Sequence, residues 1–527
     1  MVASMDLMQG ESDPTRLVFP GAVPVRELTG FGGVSRRGRR RRRRNEERPP
    51  ADWDDVFQSQ EPVVIRREHA LARWPALTPE ALAESMREVR VHVSAARTVQ
   101  MMSRVQPWGS LPELTWRRPW AEQNVSAAQL FVDGVNASDE HLYFFSPVSE
   151  LPAAVRAVLG ELSVLTTLFQ PMVEANAWAG VPGVSSPLHY DAAHNVYLQL
   201  TGHKRFVLLP AEHAPNLYPF PRLHPSTRQS QIDLRALPPD RFGRFHAALH
   251  GAGGTARLRP REVVLGPADT LYIPPYVWHR ASVAGDRSAF SVAVYSQSTP
   301  MDAYPVLKAH PLPLQRTPSA TAAEVPLRDA PPSRTTVAQL HAYCMGLASL
   351  RPPNADMSVV DDGSFDCLVQ GRCECLRPGV RDAHEGRDAL RELHATRFAP
   401  LLDGDDGDGD RGDGGDGGGG GGDDNRSGGH GDGLSSGLSL MLRRAREEWQ
   451  ETGLAAAPPR LRGRLAGRLD AHAHALRDAV EAVPTRGALA PDIWRAEIAS
   501  LIEDVASSVL GPQRVEAFLE WAARISV

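Results

Sequence analysis

Cysteine is nearly absent from this chain: four occur among 527 residues, all between Cys344 and Cys375. So sparse a set excludes the disulfide framework of a small secreted domain and predicts a reducing compartment. Also missing is any run of about 18 apolar residues, the length a membrane-spanning helix requires. The first twenty residues carry Asp6, Glu11, Asp13 and Arg16 and lack the apolar stretch of a secretory leader. The expectation is a protein of the nucleus or cytoplasm, neither secreted nor membrane-bound. Asn124-Val125-Ser126 and Asn136-Ala137-Ser138 then match the glycosylation pattern by chance. Neither charge dominates: 58 Lys and Arg face 63 Asp and Glu, a net charge of -5 that excludes a basic nucleic-acid binder taken as a whole.

The length exceeds what one hydrophobic core serves, so several units are expected. Residues 1–50 read as a disordered arm, because eight arginines among the nine positions from Arg36 to Arg44 repel one another and stay solvated. Such a run serves nuclear import or contact with RNA phosphates. Residues 51–298 read as a folded domain. Pro62 to Arg66 has the composition of a strand, and Thr78-Pro79-Glu80 opens a helix over Leu82, Met86 and Val89. Short apolar or alternating runs at 196–200, 205–209, 262–265, 270–273 and 290–295 predict a β-sandwich or barrel, the first two joined as a hairpin around Thr201-Gly202-His203. A Pro-rich linker (299–335), a Cys-containing segment (336–402) and an Asp/Gly-rich disordered segment (403–433) follow. The aspartates from Asp406 fail as a calcium loop, since Arg411 stands where glycine is needed and Gly417 where glutamate is needed. Residues 434–527 carry apolar spacings of three and four at Leu438 to Trp449, Leu461 to Val483, Trp494 to Val509 and Val515 to Ile525, a helical unit. Its stripes through Trp449, Leu465, Leu476, Trp494, Leu501 and Phe518 are too extensive for exposed helices, and predict a homodimer through these helices or packing on the β-domain.

The chemistry-bearing stretch is Ser185-Ser186-Pro187-Leu188-His189-Tyr190-Asp191, joined far downstream by His279 in the run from Gly266. On a strand, residues two apart share a face, so His189 and Asp191 would project together into a barrel, and a later strand could bring His279 beside them. Two histidines and one carboxylate form the facial triad that holds non-haem Fe(II) and leaves positions open for further ligands. A His-x-Asp triplet alone is a weak signal in a chain with 18 histidines.

The stretch resembles the JmjC or cupin-like Fe(II)/2-oxoglutarate oxygenases over roughly residues 60–298, and is most similar to their asparaginyl-hydroxylase branch that acts on hypoxia-inducible factor. The resemblance is carried by Pro187 to Asp191, Asn195, Gln199, Gly202 to Arg205, Leu217-Tyr218-Pro219, Arg228 to Asp233 and Gly266 to His279. It implies a mainly β double-stranded β-helix (jelly-roll/cupin) core with flanking helices, beside the α-helical C-terminal unit. It implies Fe(II) held by His189, Asp191 and His279, and 2-oxoglutarate bound by Lys204 and Ser186, with Asn195 near the metal and Tyr143 on the co-substrate. Arg228 and Gln229 resemble the loop that holds a target side chain. Where the family often has Asn and Trp on the final core strand, this sequence has Ala293 and Tyr295.

The implied activity is 2-oxoglutarate-dependent hydroxylation of a protein side chain. Hydroxylation of an RNA base, helped by Arg36 to Arg44, demethylation of methyl-lysine, and a non-catalytic cupin binding module are the alternatives. Cys344, Cys367, Cys373 and Cys375 with His384 could ligate zinc, but lack the paired Cys-x-x-Cys knuckles, and free thiols are expected.

Overall fold

A computed structural model describes residues 23–29, 60–66, 77–99, 118–133, 140–160, 172–235, 237–238, 241–252, 257–298, 301, 305, 334–348, 386–402, 432–451 and 491–524. The arginine run, nearly all of the Pro-rich and Asp/Gly-rich segments, Cys367, Cys373, Cys375, His384 and the 461–483 pattern lie outside them.

In chain order the elements up to the site are β1 (Val23–Pro24), β2 (Arg26–Thr29), β3 (Val63–Arg66), α1 (Pro79–Met86), β4 (Glu88–Ser94), β5 (Ala121–Ser126), α2 (Ala127–Phe131), β6 (His141–Pro147), α3 (Ala153–Gly160) and β7 (Met172–Gly180). Then come β8 (His194–Thr201), β9 (His203–Leu209), α4 (Gly243–His250), β10 (Arg261–Leu265), β11 (Thr270–Ile273), β12 (Trp278–Ala284) and β13 (Ala289–Ser296). Thr78 caps α1 by accepting from the Ala81 N–H at 3.2 Å. The helix stops at Met86, because Arg87 turns to a φ of 55° and Val89 enters β4 as a buried strand residue, which corrects the longer helix expected from spacing.

The strands form two sheets, β1-β10-β9-β12 and β2-β3-β11-β8-β13-β7-β6-β4-β5, antiparallel except at β1/β10 and β2/β3. From β8 to β13 the chain passes repeatedly between the sheets, as in a jelly roll. The expected β8–β9 hairpin is therefore absent: β8 joins the larger sheet and β9 the smaller. Gly202 makes the crossing. Its φ is +67°, and a Cβ there would stand 2.3 Å from the Ser288 carbonyl oxygen, so only glycine lets the turn lie against the backbone before β13.

The central strands of both sheets are covered on both faces. Between them lies a core of Tyr197, Phe206, Leu208, Val263, Leu271, Ile273 and Ala293. The outer face of the larger sheet packs under α1, α2 and α3 through Leu82, Leu130, Phe131 and Val155. The outer face of the smaller sheet, with Val207, Leu209 and Trp278, is covered by the C-terminal helices α5 (Arg334–Ala348), α6 (residues 386–402), α7 (Asp432–Glu451), α8 (Pro491–Leu510) and α9 (Val515–Arg524). Among the described residues no helix is long and apolar enough to cross a membrane.

This packing removes the reason for expecting a second copy. Trp449, Trp494, Leu501 and Phe518 are buried in one cluster with Leu188, Tyr190 and Trp278 of the same chain. Cys344, placed by the sequence reading in loose chain, is a buried free thiol on α5, its pKa pushed up by burial. Deletion of residues after 433 is therefore expected to yield insoluble protein rather than a well-folded monomer. Each large side chain laid bare forfeits about 1.5–3 kcal/mol. Recovery of a soluble, cooperatively melting fragment in size-exclusion and calorimetric runs would contradict this.

Candidate metal centre in the barrel

The stretch from Ser185 to Asp191 is not a regular strand; His189 forms isolated antiparallel bridges to His279 and to Gln229. The His189 N–H donates to the His279 carbonyl at 3.0 Å, and the His279 N–H returns a bond to the His189 carbonyl at 2.7 Å. Residues paired in this way project their side chains on the same side. The two rings stand 4.2 Å apart between centroids, and one donor atom from each of His189, Asp191 and His279 falls within 4.8 Å of the others. Leu188 and Tyr190, alternating with these ligands, are buried outside the barrel, where Tyr190 stacks on Tyr276 and meets Trp278 edge-on. The apolar alternates thus set which face the ligands take.

The surroundings prepare the donors for a cation. His189 donates through Nδ1 to the Pro187 carbonyl at 2.8 Å and His279 through Nδ1 to the Val277 carbonyl at 3.0 Å, which leaves each Nε2 as the free lone pair. Burial raises the Asp191 pKa, but His279, His189, Arg228 and a 3.0 Å hydrogen bond from Asn195 Nδ2 together hold it below the ordinary carboxylate value. Burial, and then His189, lower His279 to about 4 despite Asp191 and the Val277 bond. At neutral pH His279 is neutral and Asp191 ionised, and two imidazoles with a carboxylate are a donor set that fits Fe(II).

Deeper between the sheets, Lys204 on β9 is only 2% exposed. Its Nζ donates to the Tyr197 hydroxyl at 2.7 Å and lies over that ring, and the Tyr197 hydroxyl meets Ser291 Oγ at 2.7 Å. Burial lowers the ammonium to about 7, and among the described residues no carboxylate pairs with it. A buried cation without a counter-charge is costly, and a carboxylate ligand would relieve that cost. Ser186 is buried beside β12, its Oγ accepting from the Ala281 N–H at 3.0 Å. Tyr143 on β6 is buried against Trp178, and its field reaches both Tyr197 and Tyr295.

Arg228 and Gln229 also come to the centre. Gln229 bridges to His189, the Arg228 carbonyl accepts from the Tyr190 N–H at 3.1 Å, and the Arg228 charge acts on Asp191. These contacts thus join Asn195, Arg228 and Gln229 to the His189, Asp191 and His279 group, and link Tyr143 to Tyr197 beside Lys204, while Ser186 lies against β12. Sequence reasoning missed Tyr197 and Ser291, although period-two alternation on β8 puts Tyr197 on the same face as Asn195.

Residues 49–297 match the family described as "Cupin-like domain". The chain is 32% identical over 126 residues to the Drosophila melanogaster Jumonji C domain-containing protein 5, an alignment of 23% of this chain and 27% of that protein. It is 26% identical over 235 residues to Lysine-specific demethylase 8 of Xenopus tropicalis, covering 43% of this chain and 46% of that one. The chain therefore spans less than half the length of these curated relatives. A solved Escherichia coli ribosomal oxygenase with cobalt and 2-oxoglutarate aligns at 15% identity and a TM-score of 0.25, over 53% of this chain and 62% of that chain, and carries no argument here. The two-sheet fold agrees with the family match, so residues 49–297 form a cupin-like domain that is similar in sequence, over part of its length, to the JmjC relatives.

Proposed function

We propose that the chain is an Fe(II)- and 2-oxoglutarate-dependent oxygenase that hydroxylates a protein side chain. The observation that carries this reading is the pairing of the His189, Asp191, His279 donor set with a buried Lys204 that no carboxylate pairs with among the described residues of the same barrel. His189, Asp191 and His279 would hold the metal, and Lys204 with Ser186 and Tyr143 would hold the distal carboxylate of the co-substrate. With both bound, the chemistry supplied is oxidative: one atom of dioxygen goes into the product and the other into succinate, with release of carbon dioxide. The protein's own share is to fix the imidazole tautomers, keep Asp191 ionised, anchor the carboxylate and exclude water through the apolar core of Tyr197, Phe206 and Ala293 between the sheets. Arg228 and Gln229, at the rim, would supply hydrogen bonds to an amide-bearing target. JmjC relatives named as lysine demethylases, and a Neurospora crassa relative named tRNA wybutosine-synthesizing protein 4, make demethylation and RNA modification the outcomes to be told apart from hydroxylation.

Mass spectrometry of proteins and RNA from cells carrying wild-type or His189→Ala protein tests the reading. Side chains heavier by one oxygen atom in the wild type alone are expected. A methyl-lysine change or an altered RNA base would replace that assignment, and no difference in either pool would leave a binding module.

Purified protein is expected to bind one Fe(II), or Mn(II) as a redox-silent substitute, and Asp191→Ala to lose it while melting as the wild type does. The Asp191 side chain is 22% exposed and adds little to the core. Metal retained by this variant after dialysis would overturn the triad.

Lys204→Ala should raise the 2-oxoglutarate KM at least about tenfold, since losing a charged partner to a buried carboxylate costs several kcal/mol, and Lys204→Arg should recover it only in part. Burial holds the empty-pocket lysine at about 7, and a bound carboxylate raises it, so binding takes up a proton. Affinity is therefore greatest below that pH and falls by up to about tenfold per unit above it, until the liganded lysine itself titrates. Titrations at several alkaline pH values that show a constant Kd would refute the assignment.

A further inference from the structure

The turn that carries Arg228 and Gln229 is held from two sides. On the barrel side it is bonded to the metal-ligand segment: the Tyr190 N–H donates to the Arg228 carbonyl at 3.1 Å, and the Ser230 N–H to the Leu188 carbonyl at 2.8 Å. On the other side stands α8 of the C-terminal unit, beyond the cupin-like segment. The Glu503 carboxylate accepts from the Arg222 backbone N–H at 2.7 Å at the start of the turn. Its second oxygen pairs with the Arg397 guanidinium, and the Arg397 carbonyl accepts from Gln231 Nε2 at 2.9 Å at the end of the turn. The Arg222 guanidinium also reaches Asp504 at 3.5 Å. One carboxylate, 1% exposed, thus meets the start of the turn directly and its end through Arg397, whose side chain it pairs with and whose carbonyl takes the Gln231 bond.

Between these anchors Arg228 sits at φ +68°, a left-handed conformation that a non-glycine residue keeps only when its surroundings over-determine it. The apolar face of α8, with Trp494, Ile498, Leu501 and Ile502, already provides the packing of that helix. A buried ion pair contributes little net stability compared with apolar residues of the same volume, so packing alone gives no reason for Glu503 and Arg397 at this place.

We propose that Glu503 is a positioning residue: through the Arg222 N–H and through Arg397 it sets the turn that presents Arg228 and Gln229 to the metal centre. The C-terminal unit is then part of the site as well as a cover for the smaller sheet. The proposal rests on the reading of that turn as the part that meets the substrate.

Two full-length double variants test it, both free of the buried charges so that neither leaves an unpaired ion. Glu503→Leu with Arg397→Met removes the acceptor of the Arg222 N–H, and Glu503→Gln with Arg397→Met keeps one. Hydrogen exchange read by mass spectrometry should rise at least about tenfold over residues 217–231 in the first variant, the equivalent of losing one hydrogen bond to a charged acceptor. In the second it should return to within about threefold of the wild type, since a neutral acceptor recovers most of such a bond. Exchange in α8 and the Kd for 2-oxoglutarate on the Mn(II)-loaded protein should stay unchanged in both. Equal exchange over 217–231 in the wild type and the first variant overturns the proposal. So does a rise of the same size throughout α8, which would make the pair a packing contact only, or failure of the glutamine variant to restore protection. Wild-type protein that binds neither Mn(II) nor 2-oxoglutarate would instead sink the oxygenase reading and leave the exchange comparison valid.

Discussion

The candidate metal centre depends on one backbone pairing, the reciprocal hydrogen bonds between His189 and His279. Two such bonds contribute only about 1 kcal/mol each, so their importance is geometric. They place two imidazoles side by side from segments far apart in sequence, and Asp191 follows because it is two residues on. What keeps the pairing in register is the burial of the residues between the ligands. Leu188, Tyr190 and Trp278 fill a core outside the barrel, and a slip of one residue would bury a histidine there and turn Tyr190 inward.

That outer core joins the two halves of the chain. Tyr190 and Trp278 pack in the same cluster as Trp449, Trp494 and Phe518, so the helices that close the smaller sheet also stabilise the face from which the ligands project. Among the described residues, the apolar stripes through Trp449, Trp494, Leu501 and Phe518 are thereby used within one molecule. Among the polar contacts of the same interface, Arg222 meets Asp504 and Glu503 on the turn beside the candidate metal centre, while Arg244 with Glu392 and Arg241 with the Pro400 carbonyl lie away from that turn.

The interior obeys a different constraint. Two sheets whose central strands are covered on both faces leave little water between them, and in that setting a lysine has few favourable states. Lys204 bonds to the Tyr197 hydroxyl, which reaches Ser291, a neutral chain that satisfies the donors without cancelling the charge. The same dryness that lowers the lysine pKa strengthens its attraction for a carboxylate.

Local rules made much of this legible in the sequence. Turn residues and apolar runs located β3, β8, β9, β10, β11 and β13 closely, Thr78 marked the start of α1, and the family resemblance, added to a His-x-Asp spacing weak by itself, named the expected donor set. Tyr197 was within reach of the same period-two reasoning. The pairing of strands was not legible, because a short loop such as Thr201 to His203 suits a hairpin as well as a crossing between sheets. The choice was made by the Ser288 backbone lying against Gly202, and by the need of β8 and β9 to be covered on both faces. The partner of the C-terminal stripes was hidden for a similar reason: amphipathic spacing shows that a face must be buried but not against what. The sequence by itself determined the residue types, their faces and the chemistry they can support. Only the tertiary structure decided which faces meet, because burial and pairing are satisfied by contacts between distant segments that no local pattern records.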